Sequence, residues 1–393
     1  MKYNSIWKLF KSFLILKLFQ LVIVYLTPSR FDTSSDLLLP KSQNVVHEIL
    51  NKLITWDSVY FNDLFVNDIK YEHQFVFCPG WIYFIKALPF DSYYSKQLLS
   101  IIISNACHFL SVLTLYLISI DVFGHESNLN YYSSLMMVFS PAGIFLTTNY
   151  SENLCNLLTL LTLLCYYASV DFNNVTTKTK KKIKNQVLYV FSGIVCAYGY
   201  TVRANTLLLG ILYLFDLYDF YMVDKNIQFS LLSVVTGSIL GFTFIGQNLY
   251  HYLLFCPSRG EWCTNYFPSL FQYAQDHYWN VGFLKYWTLN NIPNFLLVTP
   301  VMIWNCFGIF TFIKLLPQYR KLTSIVVIQI IMIFGGVFFW NSQILNRLTS
   351  YSPLIYWTLA LNRDKHWFNY ILGYIITWNL LQTSLFAAFL PPA

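Results

Sequence analysis

The stretch Leu98–Ile120 reads LLSIIISNACHFLSVLTLYLISI. It holds no Asp, Glu, Lys or Arg, and it is long enough to cross a bilayer, which takes about 20 mostly apolar residues. Working outward, runs of the same kind recur at 8–27, 131–149, 152–172, 187–203, 206–222, 229–255, 294–315, 322–340, 350–362 and 367–390. The run Phe75–Phe90 is shorter and is interrupted by Pro79-Gly80 and Lys86, so it reads as a re-entrant or interfacial segment. Composition agrees. Of 393 residues, 56% are hydrophobic and 11% charged, whereas a soluble domain carries about 25% charged residues. Soluble enzymes, disordered scaffolds, coiled coils and disulfide mini-domains do not fit. The expectation is an all-α polytopic membrane protein, a bundle of about 10–11 transmembrane helices in a single membrane domain over 1–393.

Charge gives the orientation. The net charge is +7, and it is unevenly placed. Lys178, Lys180, Lys181, Lys182 and Lys184 share one tract between apolar runs, which suits a cytosolic membrane loop rather than nucleic-acid binding. Lys2, Lys8 and Lys11 precede the first run. No small-x-small cleavage site follows it, so it reads as an uncleaved first span. With the N-terminus in the cytosol, the five-Lys tract, Asp224-Lys225, Lys314 to Lys321 and Arg363-Asp364-Lys365 all fall on the cytosolic side, as the positive-inside rule asks. The loops 28–97 and 256–293 then lie on the lumenal side. In the second of these, Cys256 and Cys263 share one polar stretch, where a disulfide forms if the loop is lumenal. No Cys/His spacing suggests a metal.

Four polar islands remain, and the count puts all of them on the lumenal side. The first loop carries Thr55-Trp56-Asp57-Ser58-Val59-Tyr60-Phe61 within Val45–Phe65, whose apolar residues recur at helical spacing, as in amphipathic helices on a membrane surface. Asp57 is either a helix cap or a carboxylate able to take a proton from a sugar hydroxyl. Downstream, Glu72-His73 stands at the mouth of the interfacial segment, where it could bind a polar head group. The second island is Ser140-Pro141-Ala142-Gly143 with Tyr150-Ser151-Glu152; an acid there should face protein or a wet cavity. The third is Arg203-Ala204-Asn205, and the fourth Asn346-Arg347. Each Arg either snorkels or pairs with an anion. Acids and arginines meeting on one face suit a substrate with hydroxyls and a phosphate.

These motifs resemble the GPI mannosyltransferase 2 family of the PIG-V type. The resemblance is carried by Trp56-Asp57-Ser58-Val59-Tyr60-Phe61, Tyr71-Glu72-His73-Gln74-Phe75, Phe77-Cys78-Pro79-Gly80, Phe139-Ser140-Pro141-Ala142, Tyr150-Ser151-Glu152, Arg203-Ala204-Asn205 and Asn346-Arg347-Leu348-Thr349 with Pro353, in order from residue 56 to residue 353. Two departures stand out: Ala204 and Thr206 where the family usually has Arg-Ser-Asn-Gly, and Cys78 where an aromatic is common. The resemblance implies a GT-C glycosyltransferase of the endoplasmic reticulum membrane. It would transfer the second mannose, through an α1,6 bond, from dolichyl phosphate mannose to a GPI precursor lipid bearing one mannose on acylated glucosaminyl-phosphatidylinositol. A small membrane partner subunit is expected, and no cofactor. Asp57 would be the catalytic base. Trp56, Glu72, His73, Tyr150, Glu152, Arg203, Asn205 and Arg347 would bind substrate. The rival readings are a GT-C mannosyltransferase for another lipid-linked glycan, a non-catalytic subunit and a transporter; a transporter would place its polar groups at the bilayer midplane with repeat symmetry.

Overall fold

The computed structural model describes residues 3–28, 30–33, 39–76, 79–125, 127–172, 181–256 and 260–391. Asp36, Phe77-Cys78, Lys178 and Lys180 lie outside the described residues. In chain order the helices are α1 (Tyr3–Leu26), α2 (Val45–Lys52), α3 (Asp57–Leu64), α4 (Pro79–Lys86), α5 (Tyr93–Phe123), α6 (Leu129–Val138) and α7 (Glu152–Ser169). A two-residue antiparallel pair, β1 (Val170–Asp171) and β2 (Lys182–Ile183), leads to α8 (Gln186–Val202), α9 (Gly210–Tyr218), α10 (Ile227–Phe255), α11 (Leu270–Trp279), α12 (Ile292–Leu315) and α13 (Thr323–Phe338). The chain ends with α14 (Leu345–Leu348), α15 (Pro353–Leu361) and α16 (Phe368–Ala387).

The all-α membrane bundle expected from the sequence is what forms. Among the described residues, six helices are long and apolar enough to cross a membrane, at Asn4–Leu26, Tyr93–Phe123, Ala204–Val223, Ile227–Phe255, Leu289–Leu315 and Arg320–Phe338. Ser92 caps α5 by accepting from the Ser95 amide, and Gly124 at φ +85° ends it. Its buried face carries Ser100, Ser104, Ser111 and Ser119. Small side chains let neighbouring helices approach closely, and Ser111 and Ser119 return their hydroxyls to the carbonyls of Cys107 and Leu115. α7 and α16 are helical as expected but carry buried Asn153, Asn156, Asn379 and Gln382. They pack against other helices, so their surfaces need not be uniformly apolar.

Two expected spans turn out differently. The run 131–149 is not one helix: α6 stops at Val138, and residues 140–151 form turns around a short 3₁₀ segment, all buried. Gly143 takes φ +51°, and an ideal Cβ there would lie 1.9 Å from Gln382 Oε1. Only glycine allows that approach. Irregular backbone in a membrane protein survives where protein satisfies its polar groups. Here Asn379 Nδ2 donates to the Phe139 and Ser140 carbonyls at 3.2 Å each. The Ile144 amide donates to Gln382 Oε1 at 3.1 Å, and Asn105 Nδ2 to the Thr147 carbonyl at 2.9 Å. From α1, Lys17 Nζ donates to the Leu146 carbonyl at 2.7 Å and Thr147 Oγ1 at 2.8 Å. The run 350–362 likewise yields only α15, about 13 Å long, enclosed in the core from Pro353 to Ala360. A buried loop or helix stub is as apolar as a lipid-facing helix, so composition cannot separate them.

In the first loop the helical spacing appears as α2 and α3, which bury Leu50, Phe61 and Leu64. They are separated by a break in which Trp56 sits at φ 56°. Within 75–90, residues 75–76 end a 3₁₀ turn and Pro79–Lys86 form α4, whose Trp81, Ile82 and Ile85 are buried in the protein.

Candidate active site

α3 begins at Asp57, where the dipole of the helix favours a carboxylate. A non-glycine residue at positive φ costs about 1–3 kcal/mol and is found at functional sites, and Trp56 holds such a conformation immediately before the acid. The start of α3 is fastened to the buried turn that precedes α7. Ser58 Oγ donates to Asn149 Oδ1 at 2.6 Å, Tyr150 Oη to the Thr55 carbonyl at 3.1 Å, and Trp81 Nε1 to the Asn149 carbonyl at 2.9 Å.

Four charged side chains then join in a line. Arg347, from α14, donates from Nη1 to Asp57 Oδ2 at 2.9 Å. The same nitrogen lies 3.4 Å from Glu152 Oε1. Arg203, at the end of α8, reaches the same Glu152 oxygen at 2.9 Å and donates to Ser151 Oγ at 3.2 Å. The Arg347 guanidinium also lies over the rings of Phe145 and Tyr150, 4.7 and 5.5 Å from their centroids. Two carboxylates and two guanidiniums cancel, which makes their burial tolerable. Burial disfavours the charged form of Arg347, but the Asp57 and Glu152 carboxylates outweigh it and hold its proton above the ordinary arginine range. The Glu152 side chain is 2% exposed and that of Asp57 36%, so the line runs from the interior to an accessible carboxylate.

This network is incompletely satisfied. Glu152 Oε2, Arg347 Nε and both amide atoms of Asn346 are buried without a hydrogen-bond partner. Most buried polar groups are paired; these four atoms are exceptions beside the charged line. On its outer side, Arg203 lines a crevice of about 30 Å³ with Gln247, Asn248 and His251 of α10, and with Phe75 and Phe271. Among the described residues, no group of three His, Cys, Asp or Glu is placed to hold a metal ion.

Of the residues singled out in the sequence, Asp57, Tyr150, Glu152, Arg203 and Arg347 come together. Trp56 stands at the edge, its Nε1 on the Leu390 carbonyl at 3.3 Å and its ring 5.3 Å from Phe389. Asn205 turns to Cys155 Sγ, 3.9 Å away. Glu72 and His73 lie in a different cleft, where Trp262 Nε1 donates to Glu72 Oε1 at 3.0 Å. Cys256 and Cys263 are joined by a disulfide. Ser151 and Asn346 stand in the sequence motifs without a role of their own, and Gln247 and His251 stand in none. Ser151 and Asn346 adjoin charged residues already chosen, and Gln247-Asn248 and His251 fall in the last turns of an otherwise apolar helix.

The family model described as "Mannosyltransferase (PIG-V)" matches residues 6–393. The chain belongs to the PIG-V mannosyltransferase family. A protein from Candida albicans named GPI mannosyltransferase 2 is 56% identical over 99% of this chain and 100% of its own length. Proteins of the same name from Yarrowia lipolytica and Saccharomyces cerevisiae are 33% and 31% identical, each over 97% of this chain. Among solved structures, the oligosaccharyltransferase of Archaeoglobus fulgidus is similar at a TM-score of 0.49 and 15% identity, over 96% of this chain. The chain spans about half of that protein, 53% of its length. Membership of the PIG-V family makes the chain a glycosyltransferase, and its helices make it a multi-pass membrane protein.

Proposed function

We infer that the chain adds the second mannose of the GPI core, in α1,6 linkage, to a mono-mannosylated GPI precursor lipid, using dolichyl phosphate mannose as donor. The name shared by its relatives supports the GPI acceptor. Family membership supports an endoplasmic reticulum membrane location, and positive-inside placement supports a cytosolic N-terminus and a lumenal site. A GT-C architecture and a small membrane partner subunit belong to the same reading.

One observation carries the mechanism: an accessible carboxylate, Asp57, bonded at 2.9 Å to an arginine 290 residues away in sequence, with the buried Glu152 between that arginine and Arg203. Asp57 takes the proton from the acceptor's 6-hydroxyl as that oxygen bonds to the anomeric carbon of the donor. The anomeric carbon–phosphate oxygen bond breaks, and dolichyl phosphate leaves. A β-linked donor giving an α-linked product needs this single inverting displacement through an oxocarbenium-like transition state. Arg347 orients Asp57, and with Arg203 it stabilises the charge growing on the leaving phosphate. Gln247, Asn248 and His251 line the crevice beside Arg203. Glu152 holds the two guanidiniums in register, and Tyr150 packs under Arg347. Trp56 stands at the edge of the site.

Lipid analysis of cells depleted of the chain tests the reading. A GPI precursor with one mannose should accumulate, and the wild-type chain but not Asp57→Asn should clear it. Accumulation of a dolichyl-linked oligosaccharide instead would assign the chain to another glycan.

A further inference from the structure

The chain enters α3 through a backbone conformation that its residues disfavour. Trp56 stands at φ 56° and ψ −128° immediately before Asp57, and its side chain does not cap the helix. For a bulky residue such a backbone is an outlier, and it persists only where the surroundings over-determine it. Here the surroundings are the residues that end α16. Trp56 Nε1 donates to the Leu390 carbonyl at 3.3 Å, and its indole lies 5.3 Å from the Phe389 ring at 40°. Phe389 is 8% exposed and is itself at φ 60°. Two residues with positive φ therefore rest against each other.

Further contacts close around the same ring. The Phe31 amide donates to the Ala388 carbonyl at 2.7 Å. The neighbouring Arg30 donates from Nη2 to the Ile54 carbonyl at 3.0 Å and also to the Asn51 carbonyl, across the break between α2 and α3. Its guanidinium lies 5.8 Å from the Phe389 centroid. One turn earlier in α16, Phe386 is wholly buried, 5.6 and 6.1 Å from the rings of Phe145 and Tyr150. Those are the two rings under the Arg347 guanidinium. The end of α16 thus stands behind both partners of the Asp57–Arg347 bond, through Phe389 and Trp56 on one side and through Phe386 on the other. A phenylalanine neither carries charge nor exchanges a proton, so its effect on the reaction passes through the groups it holds.

We propose that Phe389 is a positioning residue for mannose transfer: its ring holds Trp56 at positive φ and so sets the Asp57 carboxylate in place against Arg347. The inference rests on the reading above, in which Asp57 is the base.

The test is steady-state kinetics of the full chain in phosphatidylcholine vesicles, with dolichyl phosphate mannose and a mono-mannosylated GPI precursor as substrates, beside melting temperatures in detergent. Phe389→Ala should lower kcat by about 10–10²-fold and leave KM for each substrate unchanged, as expected when a reacting group is misplaced. Phe389→Tyr keeps the ring and should restore most of the turnover. Phe389→Gly separates the ring from the backbone. Glycine adopts φ 60° without strain, so this variant should melt above Phe389→Ala and yet show the same loss in kcat. In an Asp57→Asn background, Phe389→Ala should cause no further loss, because residues that act as a unit are not additive. Normal kcat in Phe389→Ala, a change confined to KM, turnover that rises with melting temperature from Ala to Gly, or full additivity with Asp57→Asn would each overturn the positioning role and leave Asp57 as the base. Near-normal turnover in Asp57→Asn alone would overturn the base and this inference with it.

Discussion

The helices α7 and α8 each carry a charged cluster at both ends, and the two clusters are built differently. At the start of α7 and the end of α8 lies the line Asp57–Arg347–Glu152–Arg203. At the other ends of the same helices Lys181 Nζ pairs with Asp216 Oδ1 at 2.5 Å and Asp219 Oδ2 at 2.9 Å. Asp216 is wholly buried and also accepts from Tyr166 Oη and Tyr189 Oη, both at 2.7 Å. Glu152 and Tyr166 are separated along α7 by about 21 Å. Both oxygens of Asp216 are bonded, whereas Glu152 Oε2, Arg347 Nε and Asn346 have no hydrogen-bond partner. The two clusters thus differ: a closed one pins helices together, and an open one keeps buried atoms without bonds and ends in an accessible carboxylate.

Experiments can break that contrast. The largest effect is expected from Asp57→Asn, which should lower mannose transfer per folded molecule by about 10²–10⁴-fold, with a smaller fall in melting temperature in detergent because Arg347 loses one of its two carboxylates. Arg347→Lys keeps the charge but loses the planar fork that meets two carboxylates, and a loss of about 10²-fold in kcat is expected. Near-normal turnover in either variant would show that the open cluster is only structural. Asp216→Ala should behave in the opposite way. Removing one partner of a buried pair costs about 3–5 kcal/mol, so steady-state abundance should fall, while the surviving folded molecules transfer mannose normally. The smallest effect concerns His73. Burial keeps its pKa in the folded chain below that of the unfolded chain, so stability is full above about pH 6.5 and declines as pH falls below it, because the unfolded chain binds the proton first. His73→Gln should flatten that decline in melts run between pH 7.5 and 5.5; identical slopes would contradict the assignment.

How much of this was legible in the sequence differs by region. Asp57, Glu152, Arg203 and Arg347 were visible because a charge inside or beside an apolar run needs a reason, and their shared sidedness followed from where the lysines fall. The pairings were not visible, since nothing in Asn346-Arg347 says that its arginine meets a carboxylate from the first loop. Nor was the separate position of Glu72 and His73, which depends on α11 and the Cys256–Cys263 loop packing against the 3₁₀ turn at 72–76. The break in 131–149 was hidden because Pro141 and Gly143 stand among residues as apolar as any spanning helix. Lys17 was hidden in the same way: one lysine within a long apolar run reads as tolerated, although its ammonium holds the turn that leads to Glu152.

That lysine has a bearing on how the protein is made. α1 leaves the ribosome well before its partners: the carbonyl and hydroxyl that accept from Lys17 belong to residues 146 and 147, synthesised some 130 positions later. A lysine near the centre of a bilayer helix costs about 2.5–3.5 kcal/mol during insertion. The first helix therefore enters the lipid carrying a debt that only the arrival of the Ser140–Glu152 turn settles, which ties its lasting residence there to completion of the very segment that shapes the chemistry.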